Sequence, residues 1–113
     1  MINLLVDEAY AFDYLSILEI KKDINSINYT NWQICKENLI NEIGQDKMDE
    51  IINSEEYKQM IETNKLTFEA VEKARYGGVI TDKEVDDANL KRHKRKLELQ
   101  RKFFDNNLME YKT

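Results

Sequence analysis

The 113 residues contain no proline and only three glycines, Gly44, Gly77 and Gly78. Proline is the residue that most firmly stops a helix, so here a helix can be ended only by capping residues or by those glycines. Apolar residues recur at intervals of three and four, and no alternating run outlasts a few residues, so the chain is read as all-α. With 42% hydrophobic and 35% charged residues and a mean hydropathy of -0.69, it has the composition of a soluble folded protein. Its length suits one hydrophobic core, giving a single helical domain over residues 1–113.

The punctuation divides the chain. A first helix is expected from Asp7, its N-cap, to about Asn25, with Tyr10, Tyr14, Ile17, Leu18 and Lys21 on one face. A second begins at Thr30, which forms a T-x-x-Q capping box with Gln33, turns Ile34, Cys35, Leu39 and Ile43 inward, and stops at Gly44. A short third helix holds Met48, Ile51 and Ile52. Ser54 caps a long fourth helix, with Glu55 and Glu56 placed favourably in its first turn and an inner stripe of Tyr57, Met60, Ile61, Asn64, Phe68 and Val71. Gly77 and Gly78 end it, Thr81 and Glu84 make a second capping box, and a helix from about Asp82 to Glu110 follows, its seam formed by Leu90, Leu97, Phe104, Leu108 and Tyr111. The expected architecture is an elongated helical bundle built on two long antiparallel helices, with the shorter N-terminal helices packed along them.

Length then bears on assembly. A helix from 82 to 110 is about 42 Å long, whereas a compact chain of this size has a radius of gyration of about 13 Å and a diameter of roughly 34 Å. Its end would protrude, and Phe103, Phe104, Leu108 and Met109 cover more than one face there. Those four are the expected self-association residues of a homodimer.

Several classes are excluded. One cysteine, Cys35, can make neither an internal disulfide nor a cysteine-based zinc site. Residues Met1 to Val6 are too few and too uncharged for a signal peptide, and no run approaches the roughly 18 apolar residues of a membrane span. A cytoplasmic location is expected, with no membrane partner. The abundance of Lys, Asn and Ile suits an AT-rich genome, bacterial or phage, and a phage protein would work in the host cytoplasm.

Two clusters could carry chemistry. Glu69 and Glu72 lie one helical turn apart before Gly77, and Glu84 with Asp87 after it. Folded back at the glycines, these four carboxylates could hold Mg²⁺, a hard ion that prefers oxygen ligands. The E-x-x-E and E-x-x-D pattern resembles the metal ligands of the all-α nucleoside triphosphate pyrophosphatases, which implies a Mg²⁺-dependent hydrolase as one alternative. Acidic residues after a cap also complement the helix dipole without binding anything.

The second cluster is basic. Lys91, Arg92, Lys94, Arg95 and Lys96, with Arg101 and Lys102, oppose only Glu98, a local +6 in a chain of net -5. Such a stripe could bind nucleic acid or another anionic partner. Against this, the pI is near 5.0 and no aromatics are interleaved, so pairing with acidic helices of the same protein or of a second subunit is the simpler expectation. His93 is the single histidine and sits among cations; Cys35 reads as a small buried hydrophobe. Trp32 and the six tyrosines read as the edge of a core or an interface.

The run Asp13 to Lys21, D-Y-L-S-I-L-E-I-K, resembles the opening of an uncharacterised family of short helical proteins of bacteria and their phages, approximately D-x-L-[ST]-I-L-E-I-K. Asn89, Arg92, Lys94, Arg95 and Lys96, followed by Leu108, Glu110 and Lys112, are similar to that family's basic tail. The resemblance implies no activity, but it draws attention to Glu19 and Lys21, two charges within an apolar helix. The sequence thus favours a non-enzymatic interaction or assembly protein that needs no cofactor, acting on itself or on an unidentified protein partner.

Overall fold

The computed structural model describes residues 7–75, 77 and 82–104. Among these it contains five helices and no strand: α1 (Glu8–Lys21), α2 (Ser26–Ile43), α3 (Gln45–Ile52), α4 (Glu55–Arg75) and α5 (Asp82–Phe103). The fold class is therefore all-α. Its principal extents are 44 × 42 × 30 Å, nearly equal along two axes.

Local chemistry sets most boundaries. Gly44 closes α2 with φ 90° and ψ 157°, a region open essentially to glycine alone, and its N–H donates to the Ile40 carbonyl at 2.8 Å. Ser54 caps α4 as expected: its Oγ accepts from the Tyr57 N–H at 3.2 Å. Two other boundaries differ from expectation. α1 stops at Lys21, four residues early, in a turn closed by the Ile24 N–H on the Lys21 carbonyl. α2 starts at Ser26 rather than Thr30, because Asn25 is the cap and its Oδ1 accepts from the Asn28 N–H at 2.8 Å. Thr30 therefore lies inside the helix, where its hydroxyl donates back to the Ser26 carbonyl.

The core brings together Ala9, Phe12 and Leu15 of α1, Leu39 of α2, Met48 and Ile51 of α3, Tyr57 and Met60 of α4, and Leu99 and Phe103 of α5. Phe12 lies at its centre, edge-on to Tyr57 with ring centroids 6.2 Å apart and 6.4 Å from Phe104. On α1 the buried face is Ala9, Phe12, Asp13, Leu15, Ser16 and Leu18, whereas Tyr10 and Tyr14 face solvent. That helix is apolar almost all round, so its period did not decide which side turns inward.

The α5 seam is rotated in part. Leu97 and Phe104 rest against the core as expected, but Leu90 is 67% exposed, and the inward line is Arg92, Arg95, Lys96, Leu99, Gln100 and Phe103. On α4, Val71 is exposed, while Asn64 is buried as its position in the stripe required. The last helix ends at Phe103, giving a length of about 33 Å, which does not exceed the body of the molecule. The protruding helix end that motivated a C-terminal dimer contact is thus absent among the described residues. Gly78, the Thr81 half of the second capping box, Leu108, Met109 and Tyr111 lie outside them.

Candidate functional site

The basic stripe turns inward. Asp13, buried on α1, receives the Arg92 guanidinium at 3.1 Å and the Lys96 ammonium at 4.0 Å from α5. Its other oxygen accepts from Asn64 Nδ2 of α4 at 3.0 Å, and the same amide donates to Ser16 Oγ at 2.7 Å. Ser16 in turn donates to the Asp13 carbonyl. One turn away, Arg95 reaches Thr63 Oγ1 at 3.4 Å and pairs with Glu98. A buried carboxylate needs a countercharge and hydrogen bonds, and α4 and α5 supply both. Asp13 and Ser16 belong to the α1 run and Arg92 and Lys96 to the basic run, so two segments far apart in the chain meet at one ion pair.

A second polar contact joins the same helices. The Gln100 side chain, fully buried, accepts from the Ala9 N–H at 2.9 Å and donates to Glu8 at 2.7 Å. An amide from α5 thereby satisfies an otherwise open N–H in the first turn of α1. Asp7 occupies the N-cap position, but its side chain makes no capping hydrogen bond. Lys102 pairs with Glu56 at 3.1 Å. Of the five stripe residues, Arg92, Arg95 and Lys96 are engaged within the chain, and Lys91 and Lys94 face solvent. Pairing with acidic side chains of other helices in the same chain, the simpler of the two expectations, thus accounts for Arg92, Lys96 and Lys102.

The acidic cluster does not assemble. Glu69, Glu72, Glu84 and Asp87 are all exposed, and among the described residues no three His, Cys, Asp or Glu side chains are grouped to hold a metal ion. Glu84 and Asp87 share the border of a shallow hollow with Lys91 and Leu66, and the α4 pair is not part of it. On α4 that hollow is lined by Thr63, Leu66, Thr67 and Ala70, not by Glu69 or Glu72.

Of the four expected self-association residues, the two that are described, Phe103 and Phe104, turn into their own chain. Phe103 is only 8% exposed within its own chain, and Phe104 packs on the core with the Lys47 ammonium 5.0 Å from its ring centre. Lys47 also donates to the Phe103 carbonyl at 2.6 Å. Lys47 thereby ties the end of α5 to α3.

The open apolar surface lies elsewhere. α2 has eighteen residues and buries one, Leu39. Trp32, Cys35, Ile40 and Ile43 rest partly on the core, while Ile27 and Ile34 are 71% and 51% exposed. On the helical wheel an exposed arc runs Thr30, Asn41, Ile34, Ile27, Asn38 and Asn31 with no charge among them, bordered by Glu37 beside Thr30 and Glu42 beside Asn31. Beside it, Tyr14 and Ala11 of α1 form the far wall of a groove of about 570 Å³ over Ile34, Cys35 and Leu39. Burial raises the Cys35 thiol above its ordinary range, leaving it a protonated, weakly polar lining group. Seen from the sequence, Ile34 was an inward residue. Its true environment could have been suspected from Ile27, which lies seven residues earlier on the same side.

Comparison with protein-family models, curated proteins and solved structures found no match. No helix among the described residues is long and apolar enough to cross a membrane.

Proposed function

We propose that this chain is a non-enzymatic helical assembly protein that associates with a second copy of itself through the outward face of α2 and the adjoining groove against α1. The observation that carries this reading is an eighteen-residue helix with one buried residue and two exposed isoleucines on an uncharged arc. Charge supports a second copy as the occupant. In a chain of net -5 in which 35% of residues are charged, this six-residue arc has none, and Glu37 and Glu42 stand at its two edges, so two copies can meet over the isoleucines and asparagines with the carboxylates left at the rim. Asn31 and Asn38 support it as well, because an amide both donates and accepts and can pair with its own symmetry mate. Within each copy, α4 and α5 are read as an antiparallel pair across the glycine turn, a reading supported by Glu56 meeting Lys102 while Thr63 meets Arg95. The resemblance of the α1 and α5 segments to one family of small phage and bacterial proteins is compatible with this role.

Light scattering tests the proposal. A mass near twice 13.5 kDa is expected at micromolar concentration, and Ile34→Lys should return it to the single-chain value by placing a cation on each side of the two-fold contact. A wild-type mass of one chain would reject self-association.

A further inference from the structure

The groove over α2 and the isoleucine beside it are complementary parts. On α2 the groove is bordered by Asn31, Ile34, Cys35 and Asn38, with Leu39 and Glu42 continuing it and Ala11 and Tyr14 of α1 facing them. Residues at i, i+3, i+4 and i+7 of one helix outline the hole that takes a side chain from a facing helix, and 31, 34, 35 and 38 have that spacing. Ile27 lies on the same exposed arc and is 71% exposed, more than any other large apolar side chain among the described residues. It stands outside the hole of its own helix, so the hole it can enter is that of another copy.

Charge chooses how two such helices run. In a parallel pair the rim of one helix lies along the opposite rim of the other, and residues five apart meet there. Glu37 and Glu42 are five apart on opposite rims, so a parallel pair would bring carboxylate against carboxylate twice. In an antiparallel pair, a two-fold axis at Asn31 sets Ile27, four residues before it, against Cys35, four residues after it. The same axis carries Glu37 to the start of the facing α2, at Asn25 and Ser26, where the positive end of the helix dipole favours a carboxylate. Glu42 then lies past the end of the facing helix, and the Asn31 amide meets its own symmetry mate.

On the basis of self-association through this face, we propose that the groove is completed by the partner's Ile27. Two antiparallel α2 helices exchange these side chains, each seated among Asn31, Ile34, Cys35 and Asn38 of the other copy. The groove is thus a site that one chain leaves open and two chains fill twice.

Cys35 is the single cysteine and reports the contact. Oxidation of Ile27→Cys with diamide should give a covalent dimer in which a peptide containing position 27 is joined to one containing position 35, and Cys35→Ser in the same chain should abolish it. A bridge that survives Cys35→Ser joins position 27 to its own mate, the mark of a parallel pair, and overturns the proposal. Should circular dichroism or light scattering show the Ile27→Cys chain unfolded or dissociated, the wild type decides. There the alkylation of Cys35 by iodoacetamide should be slower in the associated protein than after dilution to single chains, and equal rates overturn the proposal. Light scattering keeps the two readings apart. A single-chain mass for the wild type rejects self-association and this contact with it, whereas a doubled mass in Ile27→Cys without the bridge removes the Ile27 contact alone.

Discussion

Asp13 shows how one residue can organise three helices. Its carboxylate is met by Arg92, Lys96 and Asn64 at once, so removing it leaves two cations and an amide in a largely closed space without their partner. Asp13→Ala is expected to lower stability by about 2 to 3 kcal/mol, measured by urea denaturation. The Arg95–Glu98 pair, one turn apart on the same helix and about one-third exposed, is a control of the same chemistry. Glu98→Ala should cost less than about 1 kcal/mol, and equal losses in the two variants would contradict the organising role of Asp13. Glu56 contributes differently. The backbone N–H of its own residue holds its carboxyl below the usual range, an effect that burial opposes and Lys102 reinforces. A group whose folded value is depressed stabilises the fold above the ordinary carboxylate range, and that stability disappears as pH falls through the lowered value. Melting temperature plotted against pH should therefore fall less steeply on the acid side in Glu56→Gln than in the wild type.

At the scale of elements, the junction between α2 and α3 depends on backbone geometry. Gly44 serves as the last cap of one helix and the first of the next, at φ 90° and ψ 157°. A Cβ there would meet nothing within 4 Å, so the penalty for Gly44→Ala is conformational rather than steric, about 1 to 3 kcal/mol. The Asn25 cap is a smaller contribution, with Asn25→Ala expected to cost about 1 kcal/mol. Both can be read from denaturation midpoints. If Gly44→Ala is neutral, the strained junction is not part of the stable fold. Gly44, Ser54 and the short helix carrying Met48 and Ile51 were legible because each is written locally in a few adjacent residues. The start of α2 was not, since Asn25 and Thr30 are both acceptable caps and only the turn after α1 decides between them.

For the whole molecule, the decisive contrast is between Phe103 and Ile34. Phe103 lies in the core of its own chain and Ile34 in the open. Phe103→Ala should cost about 3 to 5 kcal/mol at any protein concentration. Ile34→Lys should leave an isolated chain about as stable as before and remove the concentration dependence of the wild-type melting temperature that association predicts. Both effects are accessible to scanning fluorimetry across a hundredfold dilution series. A wild-type melting temperature independent of concentration would argue against a second copy on the α2 face.

The sequence by itself determined that the chain is helical, where two of its helices must break and which residues could cap them. These are short-range matters of period, propensity and permitted backbone angles. The phase of each helix was decided by the tertiary structure alone. In α1 apolar groups occur on nearly every side, so Phe12 and Leu15 could be distinguished from Tyr10 and Tyr14 only by what packs against them. In α5 the inward line has perfect helical spacing, yet half of it is charged: Arg92, Arg95 and Lys96 lie on the same side as Leu99 and Phe103. A cation is tolerated on that line where it meets a partner, and Asp13 stands 79 residues from Arg92. Pairing across that distance does not follow from hydrophobic period, because desolvating a charge becomes acceptable only once the opposite charge and its hydrogen bonds are already in place.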